Sequence, residues 1–182
     1  MTSSAAEPAG LPAARRRTFL ALFTALAIVV HTFETLLPTP LPWLRLGLAN
    51  ALALVVLFLY GPGAAWSLTL SRIVLGALLL GRLFTPGFWL ALAGGCLATL
   101  VMTGLHRFGR GRFGPVGISV AGAVSHACGQ TLAAWALLVR HDALWRVLPL
   151  FLLFAIATGL LTGWVAALLL ERLKRHPALA DT

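Results

Sequence analysis

Long apolar runs separated by short clusters of glycine, proline and charged residues divide the chain into six segments. A helix that crosses a bilayer needs about 20 mostly apolar residues. On that spacing the pattern predicts helices over 18–37, 46–60, 64–82, 86–106, 115–140 and 144–171. The second is short and stops at Tyr60-Gly61-Pro62-Gly63. The fold class expected is all-α: a polytopic integral membrane protein with six transmembrane helices in one domain over 18–172. A basic cytoplasmic tail at 1–17, rich at first in Ala, Ser, Pro and Gly, is expected to be disordered, and a second cytoplasmic tail covers 173–182.

Composition supports the membrane class. The chain is 59% hydrophobic and 10% charged, where soluble domains are about half apolar and a quarter charged. The net charge of +9 does not point to nucleic acid, because the Arg and Lys residues fall in the gaps between apolar runs, where the positive-inside rule places them. With six spans, the side bearing both termini carries nine of them (Arg15, Arg16, Arg17, Arg107, Arg110, Arg112, Arg172, Lys174, Arg175). The other side carries four (Arg45, Arg82, Arg140, Arg146). Both termini are therefore expected in the cytoplasm, in a bacterial inner membrane. Arg15-Arg16-Arg17-Thr18-Phe19-Leu20 resembles a twin-arginine export signal, but a cytoplasmic anchor is the better reading. The apolar run is long, no clean cleavage site follows, and further spans come after it. Cys96 and Cys128 lie in apolar runs without CxxC spacing and read as packing residues.

The stretch Glu34–Asn50 stands apart from an ordinary linker. It joins an acid at a helix boundary, Pro38, Pro40 and Pro42, and the block Leu46-Gly47-Leu48-Ala49-Asn50. Facing outward, it reads as a stiff lid over a cavity. Arg72 lies mid-run in the third helix, where a charge costs at least about 2.5 kcal/mol and needs the bundle interior and a partner. Glu34 is the candidate partner, in a structural pair; alternatively Arg72 meets an anionic group on a ligand. Ser119, Gly122, His126, Gly129 and Gln130 share about a third of the fifth helix's circumference. That face reads either as tight helix packing or as a ligand-facing stripe. Gly76, Gly81 and Gly94-Gly95 read as close packing, and Asn50 as a cap or bridge at the start of the second helix. Ala21 and Ala25 form a small-xxx-small face for a partner helix.

Several chemistries are absent from the pattern. The five acids are Glu7, Glu34, Asp142, Glu171 and Asp181, which leaves no DDxxD pair for magnesium and a diphosphate. There is no P-loop, no ligand spacing around His126 for a metal, and no nucleophile–base set. No catalytic residue and no cofactor are expected.

Glu34 with Leu37-Pro38, Leu46 to Asn50, Arg72 with Leu75-Gly76 and Gly81, Leu92-Ala93-Gly94-Gly95, and Gly117 to Ala123 through His126, Gly129 and Gln130 resemble the Gx transporter family. That family is also labelled heptaprenyl diphosphate synthase component I. The likeness covers roughly residues 20–140, in order. One departure is Ala127, which stands where an asparagine is expected directly after the histidine, so position 127 brings no polar group. The family in turn resembles the substrate-binding S components of energy-coupling-factor (ECF) transporters, six-helix proteins that capture vitamins or related solutes. The resemblance implies a small solute as ligand, vitamin-, flavin- or quinone-related, and an ECF coupling protein with its ATPases as partners beside the lipid bilayer. It implies a site of Glu34, Asn50, Arg72, Ser119, His126 and Gln130, with Ala21 and Ala25 toward the coupling protein. The older label implies an alternative, a noncatalytic membrane subunit of a heptaprenyl diphosphate synthase.

Overall fold

A computed structural model describes residues 11–36, 47–109 and 111–175. Six helices follow in order: α1 Leu11–Leu36, α2 Leu48–Tyr60, α3 Pro62–Leu79, α4 Pro86–Phe108, α5 Pro115–Leu137 and α6 Ala143–Lys174, and no strand occurs among the described residues. The boundaries follow those read from the sequence to within two residues except at four helix ends, one of them α5, which stops at Leu137 instead of position 140. The first helix starts at Leu11 instead of position 18, and so carries Arg15–Arg17 on helical backbone. The third ends at Leu79, which puts Gly81 in the following turn at φ 63° and away from any packing contact. The sixth runs on to Lys174. The lid expected at Pro38, Pro40 and Pro42 lies outside the described residues.

Local chemistry accounts for the breaks. Proline opens α3, α4 and α5, where its missing N–H is no loss and its fixed φ suits the first turn. Gly61 alone joins α2 to α3 at φ 85°, ψ −178°, a backbone state open essentially to glycine. The two helices therefore fold back on each other as a tight hairpin.

α2 is the centre of the bundle. Its sequence, LANALALVVLFLY, is apolar on every side, and a helix of that kind is buried. Ala49, Ala53, Leu54, Val55 and Val56 are fully enclosed. The other five helices form an arc in the order α1, α3, α4, α5, α6, and α2 touches α1, α3, α5 and α6 from inside it. One apolar cluster joins Leu54 and Leu57 to Ala98 and Met102 of α4, Ile118 of α5, and Ala166 and Leu170 of α6. A second joins Val56 and Tyr60 to Ala27 of α1 and Leu68 of α3.

Four helices, α1, α3, α4 and α6, are long and apolar enough to cross a membrane. At 1.5 Å per residue the 13 residues of α2 reach about 20 Å, short of a hydrocarbon core of about 30 Å. α5 has the length, but its glycines with Ser119, Ser125, His126 and Gln130 dilute its apolar content. Large apolar side chains cover the outside of the arc, among them Leu22, Val29, Leu79, Leu100, Leu153 and Trp164. That is the surface of an all-helical membrane protein.

Candidate functional site

The polar stripe of α5 lies against α4 on one side and α6 on the other, and small residues set both spacings. At Gly129, an added Cβ would lie 2.9 Å from the Ala93 carbonyl and 3.1 Å from Gly94 Cα. At Gly159 it would lie 2.8 Å from Val120 Cα, and at Gly163 2.8 Å from Val116 Cα. These contacts are backbone to backbone and leave no space for a methyl group. Gly159 and Gly163 form a GxxxG pair on α6, the small-xxx-small device of close-packed membrane helices. Gly94 makes room for two side chains of the α5 stripe: a Cβ there would meet Gln130 Cγ at 2.7 Å and His126 Nε2 at 3.0 Å.

Between these contacts the helices part around a cavity of about 200 Å³. It is bordered by α4, α5 and α6 and by the first turn of α2. Gly47 and Asn50 come from the α2 end, and Ser119, Gly122, His126, Gln130 and Thr131 from α5. Phe151, Phe154, Thr158 and Thr162 come from α6. Ser119 and Thr162 hydrogen-bond each other at 3.0 Å, and both are buried. Thr162 also donates to the Thr158 carbonyl at 2.8 Å. Because α5 and α6 run antiparallel, the lining is graded along them. Ser119, Thr158 and Thr162 lie toward one end, His126 and Gln130 face the two phenylalanines in the middle, and Leu138, Val139 and Leu144 line the end at the α5–α6 connection.

The six residues expected at the site divide into two groups. Asn50, Ser119, His126 and Gln130 line the cavity. Glu34 and Arg72 are buried behind it, 6% and 5% exposed, and are not part of its lining. Their charges tie the start of α2 to its neighbours. Glu34 Oε1 accepts a hydrogen bond from the Leu48 N–H at 2.8 Å, at a helix end whose free N–H groups favour a carboxylate. An Arg72 Nη2 donates to Asn50 Oδ1. Asn50 and Arg72 each lie eleven residues from Gly61 on the two arms of the hairpin, which puts them at one level. Gly47 takes a left-handed conformation, φ 74°, as the chain enters α2, where a side chain would be strained.

Thr131, Thr158, Thr162, Phe151 and Phe154 are lining residues that the sequence reading passed over. Thr158 and Thr162 are four apart on one face of α6, beside the GxxxG pair, and that spacing was the available signal. Ala21 and Ala25 are exposed on the outer side of α1. Among the described residues no group of three or more His, Cys, Asp or Glu side chains comes together around a metal position. The lining offers neutral donors and acceptors, one imidazole and two phenyl rings.

A family model described as heptaprenyl diphosphate synthase component I matches residues 23–169, a span that includes every residue of the cavity lining. No curated protein and no solved structure matches the chain.

Proposed function

The chain belongs to the heptaprenyl diphosphate synthase component I family, the Gx transporter family, and we propose that it is a solute-binding membrane component of an uptake system. The observation that carries this reading is the cavity. Four members of the polar face of α5, Ser119, Gly122, His126 and Gln130, border a cavity in addition to packing against neighbouring helices. In this reading Asn50, Ser119, His126 and Gln130 bind the solute. Glu34 and Arg72 hold α2 in the position that completes the site.

The wider proposal is an ECF S-component-like protein in a bacterial inner membrane, with six crossings, the short α2 crossing inside the arc together with the chain before it, and both termini in the cytoplasm. The arginine asymmetry supports that orientation. The absence of a P-loop from the sequence fits a division of labour in which separate ATPases and a coupling protein supply the energy. The exposed Ala21 and Ala25 on α1 offer a flat face for the coupling protein. Co-purification from cells tests this reading: it expects a coupling protein and an ATPase pair, and replacing Ala21 and Ala25 by Leu releases them.

The family's description favours a second reading, a noncatalytic membrane subunit held by a prenyl diphosphate synthase. The same experiment separates the two. Retention of a soluble prenyl synthase subunit, with no ATPase and no small molecule, supports the second.

A further inference from the structure

Among the described residues the cavity lining holds no Lys or Arg, and Arg72, buried behind it, is engaged with Asn50. A guanidinium donates and never accepts. The Asn50 oxygen must therefore be the atom turned to Arg72, and this fixes the amide so that Nδ2 points elsewhere. Nδ2 lies on the side of Gly47, 3.7 Å from where a Cβ on that glycine would stand. Gly47 and Asn50 both line the cavity. Arg72 is not part of the lining; its bond sets which end of the Asn50 amide is left for the cavity.

We propose that Arg72 is a positioning residue that presents Asn50 Nδ2 as a fixed donor, and that the cavity selects an uncharged compound bearing an acceptor oxygen, such as a carbonyl, over phosphates, diphosphates and carboxylates. The proposal rests on the reading of the cavity as a solute site. Among the described residues the lining has no Lys, Arg, Asp or Glu, and its one titratable side chain is His126. A dianion taken against this largely apolar lining would lose part of its hydration without a counter-charge, a cost that neutral donors do not return in full. A neutral oxygen loses little water and gains the Asn50 N–H, with a further amide donor from Gln130; the Ser119 hydroxyl is already spent on Thr162. The rest of the molecule would lie against Phe151 and Phe154.

Thermal-shift titration of the detergent-purified full chain tests this with matched probes: nicotinamide against nicotinate, menadione against 1,4-naphthoquinone-2-sulfonate, and farnesol against farnesyl diphosphate. The expected result is a saturable shift from the neutral member of at least one pair and none from its charged twin. Asn50→Asp keeps an acceptor for Arg72 but removes the donor, and is expected to weaken that probe at least tenfold while the protein stays folded. A charged probe that binds as well as or better than its neutral twin overturns the inference but leaves the cavity a binding site. Undiminished binding by Asn50→Asp does the same. No shift from any probe overturns the inference and counts against the solute-site reading as well. The wild-type preference between twins stands even if the variant does not fold.

Discussion

Glu34 on α1 accepts a hydrogen bond from the backbone N–H of Leu48, 2.8 Å away, in the first turn of α2. The contact closes the entrance to the central helix with a side chain from fourteen residues earlier. It predicts that Glu34→Ala is destabilising by about 1–3 kcal/mol, the cost of leaving a buried donor unmet. Glu34→Gln keeps an acceptor oxygen and loses less. Unfolding of the purified variants in detergent, followed by far-UV circular dichroism, checks the order wild type, Gln, Ala.

The GxxxG pair on α6 makes a sharper steric prediction. Gly163→Ala puts a methyl group 2.8 Å from Val116 Cα and from Ser119 Cβ, and overpacking of that kind costs about 1–3 kcal/mol. Gly104→Ala is the control, because nothing lies within 4 Å of its added Cβ and it sits inside α4. There the change is expected to be neutral or to stabilise by up to about 1 kcal/mol. A melting-temperature comparison of the two variants decides the point.

Ser119 and Thr162 join α5 to α6 by a buried hydroxyl pair at 3.0 Å. A double-mutant cycle with Ser119→Ala and Thr162→Val is expected to give a coupling of about 0.6 kcal/mol, the usual size for side-chain bonds between membrane helices. The double change is therefore expected to cost less than the sum of the two single changes by about that amount.

The cavity makes a prediction of its own. Ala127 lines it, and Ala127→Leu is expected to fill part of the space, leaving stability within about 1.5 kcal/mol of the wild type while solute retention falls. Mass spectrometry of the bound fraction, beside a thermal melt, separates loss of ligand from loss of fold.

Much of this arrangement was legible in the sequence, and what was missed has physical reasons. The turn at Tyr60-Gly61-Pro62-Gly63 fixed the α2–α3 hairpin, and counting eleven residues out from Gly61 already sets Asn50 opposite Arg72. Charge complementarity pointed from Arg72 to Glu34, and what it did not reveal is that Asn50 accepts from Arg72 and that Glu34 accepts from the Leu48 N–H. The polar face of α5 was visible from its helical spacing, and four of its five members line the cavity. The fifth, Gly129, serves the α4 contact instead. The α6 side of the site was hidden because Thr158 and Thr162 sit in a run of Leu, Ala and Gly where hydroxyls also bond back to their own helix, so composition gave them no weight. The short length of α2 was seen, but its role as the buried hub comes only from packing.

The central claim is that the cavity beside α5 holds a small molecule. Mass spectrometry of the intact protein purified in mild detergent, with extraction of whatever is bound, tests it most directly. The account predicts one compound at near-stoichiometric amount, lost or strongly reduced in His126→Ala and in Gln130→Ala while both variants remain folded. A compound retained equally by the wild type and both variants, or a wild type that carries none and holds a prenyl synthase subunit instead, would contradict it.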